Sequence, residues 1–209
     1  MTATLEAERA GFDLSLVDES LRCSYEQRAI HHQAALELAL EMARAGRQHV
    51  TELNRLLQRL CEAELDFVIV GGFAAMLHGS ALLTRDLDVC VVLSAENVAR
   101  LRDTFRALHP THRQSAQRLS FLDNPDPGTA LENLYLQTDL GPIDFLGSIA
   151  GVGSYAQVRA NAIEVELFGH RVRVIAVADL IASKRAMSRD KDRLALKELL
   201  AIVEKGQRG

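Results

Sequence analysis

The sequence predicts an α+β fold: a small, mixed, twisted sheet with helices on one face and more helices before and after it. Three observations predict this. Long stretches near both ends are rich in helix formers and free of proline. Between them lie short apolar runs, punctuated by Gly, Pro and Asn, too short for helices and the right length for strands. Residues 162–176 alternate polar and apolar around Gly169-His170, which reads as a β-hairpin.

Taken in order, Met1 to Leu21 is weakly patterned and reads as a partly ordered arm. Ser24 to Ala45 is dominated by Ala, Leu, Glu, Gln and Met, with Gly46 as a helix stop. Gln48 to Glu64 carries Val50, Leu53, Leu56, Leu57, Leu60 and Cys61 at helical spacing. Phe67-Val68-Ile69-Val70 reads as a buried strand ended by Gly71-Gly72. Phe73 to His78 forms a short helix stopped by Gly79, and Asp86 to Leu93 a second strand. Ala95 to Leu108 is helical up to Pro110. Gln117 to Leu122 and Leu131 to Gln137 read as strands flanking the turn-rich segment Asp123 to Gly128, and Gly141 to Leu146 as another. Glu132 to Gln137 (ENLYLQ) matches a protease-tag sequence but lies mid-chain in strand-like surroundings and reads as native. Val177 to Met187 and Asp190 to Glu204 are closing helices. The expected organisation is an arm and two helices (1–64), a sheet-bearing core (65–176) and C-terminal helices packed on it (177–209).

With 209 residues, 48% of them apolar, one domain with an appendage is expected. The net charge of −4 argues against coating nucleic acid by bulk charge. The 11-residue uncharged run from Phe67 to Leu77 is too short to span a membrane, which takes about 20. Residues 1–10 carry Glu6, Glu8 and Arg9 and no apolar stretch of a secretory signal. Three scattered cysteines, with no paired-ligand spacing, predict neither a zinc site nor a disulfide framework; a reducing cytoplasm is the expected location.

Chemistry concentrates in Val68 to Val89, VIVGGFAAMLHGSALLTRDLDV. A strand ends in a glycine pair; 13 residues separate Gly72 from Asp86, and Asp88 follows two on. Strand residues i and i+2 share a face, so the two carboxylates project together. Adjacent carboxylates repel, and a divalent cation such as Mg²⁺ relieves that while leaving coordination positions for phosphate oxygens. The glycines let backbone N–H groups approach a triphosphate. The competing reading, a solvated strand edge, sits poorly with Leu87, Val89, Val91 and Val92 around the pair. The segment fits neither GxxxxGK[ST] nor GxGxxG.

An apolar strand, a Gly-Gly pair, about a dozen residues and then Asp-apolar-Asp resembles the DNA polymerase β-type nucleotidyltransferase superfamily, and most of all small bacterial members of the AbiEii and MenT toxin-like kind. Ile143-Asp144-Phe145-Leu146 matches the family's third carboxylate strand, and Asp179 to Lys184 followed by Arg189 to Asp192 matches a helix pair of its small members. The resemblance covers about residues 66–200. Relatives carry Arg-x-Thr-x-Asp-x-Asp; Thr84, Asp86 and Asp88 fit, Leu82 stands at the arginine position, and Gly72 replaces a serine. Ser80 is an alternative source of a hydroxyl.

The resemblance implies transfer of a nucleoside monophosphate from an NTP, ATP among the candidates, to an acceptor hydroxyl. It implies Mg²⁺, with Mn²⁺ as substitute, on Asp86, Asp88 and Asp144, and nucleotide contacts from Gly71, Gly72, Thr84 and Lys184. Asp144 would help deprotonate the acceptor. The implied acceptor is RNA, such as tRNA, in a toxin–antitoxin setting with an antitoxin partner, or alternatively a small molecule. A non-catalytic nucleotide-binding protein on the same fold is the rival. From Ile181 on there are eight Lys or Arg against four Asp or Glu, positive charge that a triphosphate cleft needs, though Arg189 to Asp192 also suits internal ion pairs.

Overall fold

The computed structural model describes residues 2–43, 52–123, 131–187 and 189–207. The expected stop at Gly46, the first four residues of the helix expected from Gln48, and most of the turn-rich segment after Asp123 lie outside them.

The β-branched run Phe67–Val70 is strand β1, fully buried as its composition requires. Leu87–Val91 is β2, Thr111–His112 β3, Asn133–Thr138 β4, Gly141–Leu146 β5, Ser148–Ile149 β6, Gly153–Ser154 β7, Ile163–Leu167 β8 and His170–Val174 β9. Seven of these make one mixed sheet in the order β3-β4-β5-β2-β1-β9-β8, while β6 and β7 pair separately. The β1–β2, β3–β4, β4–β5 and β8–β9 pairs are antiparallel; β2–β5 and β1–β9 are parallel.

The helices are α1 (Ala3–Arg9), α2 (Leu14–Arg22), α3 (Tyr25–Ala43), α4 (Leu53–Glu62), α5 (Gly71–Leu77), α6 (Ala95–Phe105), α7 (Tyr155–Asn161), α8 (Val177–Met187) and α9 (Asp190–Gly206). Leu53, Leu56, Leu57 and Leu60 of α4 recur at 3–4 spacing and are all buried. This helix packs on β2, β5, β9 and α6. Phe105 of α6 meets Phe145 of β5 edge to face, at a centroid distance of 5.9 Å. That face of the sheet therefore carries Leu87, Val89, Ile143 and Phe145, all fully buried. Alternation sends Asp88 and Asp144 to the opposite face.

Four differences from the sequence-based expectations have physical causes. Residues 3–22, expected as a loose arm, form α1 and α2; Asp13 caps α2 by accepting from Ser15 N–H at 2.9 Å, and α1 packs on α9. Their runs are too short for a clear period, and tertiary packing sustains them. Gln117 to Leu122, expected as a strand, makes only an isolated bridge from Ser120 to Thr111. Arg118 has φ +45°, which breaks an extended run, while Phe121 plugs inward beneath Arg102. The helix from Ala95 ends at Phe105, and Arg106–Leu108 tightens into a 3-10 turn. Helix α7, capped by a Ser154–Gln157 capping box, was not expected at all.

Candidate active site

Register builds the site. Val70 of β1 pairs with Asp88 of β2, Asp88 with Asp144 of β5, and Asp144 with Tyr135 of β4. Paired residues share a face, so these four side chains form a row across the sheet on the side that α4 and α6 leave uncovered. Asp86 precedes β2 by one residue and joins the row: one oxygen each of Asp86, Asp88 and Asp144 lies within 4.8 Å of the others. The row floors a cavity of about 560 Å³ whose lining includes Gly71, Gly72, Thr84, Lys184 and Arg189, a volume in the range of small-molecule sites. The structure thus brings together all seven residues singled out in the sequence.

The glycine pair is dictated by close approach. Gly71 has φ +65°, and a Cβ there would sit 1.9 Å from Asp88 Oδ2. A Cβ on Gly72 would sit 2.7 Å from Thr84 Oγ1. The turn therefore lies directly against Asp88 and Thr84, and the Gly72 N–H donates to the Asp88 carboxylate. Thr84 Oγ1 donates in turn to Asp86 Oδ1 at 2.8 Å. The irregular loop bearing Thr84 is pinned from two helices. His32 of α3, its pKa lowered by burial, donates from Nε2 to the Thr84 carbonyl at 3.2 Å. Glu198 of α9, fully buried, accepts from Ser80 Oγ and from the Ala81 N–H at 2.7 Å. The Ser80 hydroxyl is thus committed to Glu198. His78 donates to the Ile175 carbonyl at 2.7 Å and serves packing.

Burial first, and then the charges of Asp86 and Asp144, push the Asp88 pKa up to about 7, with Lys184 and the Gly72 N–H opposing. Asp144 is pushed up to about 6, chiefly by burial, with Arg113 pulling the other way. Clustered carboxylates on a half-enclosed floor hold protons at a cost that a cation would remove.

Two features escaped the sequence reading. Lys184 is not a free cation: its Nζ is 3.0 Å from Asp192 Oδ1, and Arg189 Nε is 2.5 Å from Asp192 Oδ2. Asp192 is fully buried between them; burial raises its pKa, but these hydrogen bonds outweigh that and hold it below the ordinary value. Part of the positive charge after Ile181 is therefore consumed internally, as is Arg193 on Asp190. The second feature is Arg113. Its Nη2 lies 2.5 Å from both oxygens of Asp144, and its Nη1 3.9 Å from Asp86 Oδ2. Leu82, at the position where relatives of the resembled family carry arginine, lines the cavity. Arg113 belongs to no motif; only the pairing of the two-residue strand β3 brings it in.

Among the described residues, no helix is long and apolar enough to cross a membrane. The chain matches no family model and no curated protein. Its structure is similar to that of the lincosamide antibiotic adenylyltransferase LnuA with lincomycin bound, at a TM-score of 0.52 and 14% identity, covering 74% of this chain and 99% of that one. Lower-scoring likenesses are to a putative nucleotidyltransferase from Thermotoga maritima (TM-score 0.47, 13% identity, 73% of this chain and 96% of that one) and to the antibiotic-resistance factor ANT(2'')-Ia (0.43, 13%, 74% and 92%). The likeness to LnuA establishes a nucleotidyltransferase-type α+β fold, as the sequence predicted.

Proposed function

We propose that this chain transfers a nucleoside monophosphate from an NTP to an acceptor hydroxyl in a divalent-metal-dependent reaction. The observation that carries the reading is the convergence of Asp86, Asp88 and Asp144 within 4.8 Å on a cavity that also presents the Gly71-Gly72 turn and Lys184. The donor set fits a hard cation: three carboxylates, no soft ligand, and a turn against Asp88 that any Cβ would obstruct. Asp86, Asp88 and Asp144 would hold Mg²⁺, or Mn²⁺ in its place, and the bound ion would supply Lewis-acid stabilisation of phosphate charge.

The chain's own residues do the remainder. Gly71 and Gly72 leave bare backbone for the phosphates. Thr84 fixes the Asp86 carboxylate. Lys184, close enough to Asp88 to oppose its protonation, offsets triphosphate charge while Asp192 holds it in place. The acceptor oxygen attacks the α-phosphorus, the bond to pyrophosphate breaks, and the hydroxyl proton passes to Asp144.

Beyond Asp144 the cavity wall includes Asn133, Tyr135, Ser148 and Ile149, and Arg113, which crosses β4 on that side, is already paired with Asp144. This favours a small-molecule hydroxyl as acceptor, as for the antibiotic that LnuA adenylylates, over RNA. Arg189 and Lys191 on the opposite wall favour the second reading: an RNA acceptor such as tRNA, a toxin role and an antitoxin partner. Purified protein with each labelled NTP, Mg²⁺, and either a panel of hydroxylated antibiotics or total RNA separates the two. The expected result is label on a small molecule, abolished by Asp86→Asn and by Asp88→Asn. Label on RNA, with acceptor affinity falling by a log–log slope of roughly 0.7 per phosphate contacted, would establish the second reading. Metal-dependent NTP binding without transfer to any acceptor would leave the non-catalytic rival.

A further inference from the structure

Arg113 reaches the carboxylate row from the far edge of the sheet. The pairs Thr111–Gln137 and His112–Leu136 continue to Arg113, whose N–H donates to the Tyr135 carbonyl at 2.9 Å. Tyr135 is the register partner of Asp144. Strands are about 4.8 Å apart, so the backbones of Arg113 and Asp144 stand roughly 10 Å from each other. The arginine side chain crosses β4 to bridge that distance. Its guanidinium then lies against both oxygens of Asp144, the lone pairs that a metal ion would use.

We propose that Arg113 is a tethered cation that occupies Asp144 in the metal-free protein and competes with a divalent ion for that carboxylate. The inference deepens the reading of a metal-dependent site and rests on it for the nature of the competing ion. Three observations support it. The Asp144 side chain is only 8% exposed, so its ionised form is poorly hydrated and gains from a cation held against it. The Arg113 side chain is 33% exposed, which gives the guanidinium a path into solvent when an ion arrives. A guanidinium does not lose its proton in a protein, so Arg113 cannot yield by neutralising; it has to move. The competition restrains metal binding until a triphosphate brings additional oxygen ligands.

The test is Mn²⁺ binding to the full chain without nucleotide, followed by the electron paramagnetic resonance signal of free Mn²⁺. Charge-assisted contacts of this kind correspond to about 10- to 150-fold in affinity. Arg113→Gln should therefore bind Mn²⁺ at least about tenfold more tightly than wild type. Arg113→Met, which keeps the aliphatic stem, gives an independent variant with the same expectation. In an Asp144→Asn background, replacing Arg113 should raise affinity clearly less than in the wild-type background, because only its weaker approach to Asp86, at 3.9 Å, remains. If neither Arg113 variant binds more tightly, or if the full gain persists without Asp144, the proposal is overturned. Pyrophosphate release by the wild-type protein tests nucleotidyl transfer separately, so the failure of one reading is distinguishable from the failure of the other.

Discussion

Replacing Asp88 by Asn should stabilise the metal-free protein at pH 8, and by roughly a third as much at pH 5. Asp88 ionises near pH 7 in the folded chain against an ordinary 3.8. Between those values the folded state holds a proton that the unfolded state releases, so this contribution to stability is fully present below about pH 4 and is lost as pH rises towards 7. At 1.36 kcal/mol per pH unit, the ionised carboxylate costs the fold on the order of 4 kcal/mol before the site relaxes. Reorientation and the water that reaches half-exposed Asp86 reduce this to about 2 kcal/mol. Asparagine removes the charge and retains an acceptor for the Gly72 N–H. For a chain of this length the change corresponds to a rise in Tm of roughly 4–8 °C. Thermal melts in EDTA at pH 8 and pH 5 measure it. Added Mg²⁺ at ten times its Kd should raise the wild-type Tm further, by the equivalent of about 1.4 kcal/mol, and leave the variant nearly unmoved. A variant that melts below wild type at pH 8 in EDTA, or an increment that is equal at both pH values, would refute the electrostatic account of the site.

Three further outcomes follow from the same geometry. Gly71→Ala forces a Cβ into Asp88 at a residue with φ +65° and should lower stability by at least about 1–2 kcal/mol while weakening Mn²⁺ binding, as read by melts and metal titration. Lys184→Ala should weaken NTP binding about 10- to 150-fold by equilibrium dialysis, and should also lower Tm because buried Asp192 keeps only Arg189; unchanged NTP affinity would confine Lys184 to a structural role. Asp144→Ala should reduce turnover more than NTP affinity, since Asp86 and Asp88 remain; equal losses in both would remove it from the proton-transfer step.

Local sequence was informative where chemistry and backbone geometry coincide. Asp86 and Asp88 stand at i and i+2 entering an apolar strand, and that spacing alone puts them on one face. Gly71 and Gly72 read as a close approach and are one, against Asp88 and Thr84. The limits of β5 and α8 fall where the flanking Gly141, Val177 and Met187 place them. What sequence could not supply was pairing. Lys184 looked like surplus charge because nothing local says that Asp192 is fully buried beside it. Arg113 lies at the end of a two-residue edge strand whose partner is about 25 residues away, so no motif or period could bring it to Asp144. Gln117 to Leu122 had strand composition, but Arg118 turns left-handed and Phe121 is drawn into the core.

The carboxylate row also works as a proofreader of folding. Sliding β5 by one residue against β2 would turn Asp144 into the apolar layer under α4 and α6 and push Phe145 out into the cavity. Such a molecule would bury a charge, lose an aromatic contact and have only two of its three carboxylates gathered. Misregistered chains are thus silent in any assay that counts divalent-ion sites. In preparations refolded with differing success, activity per protein mass should vary, whereas activity per Mn²⁺ site should stay constant.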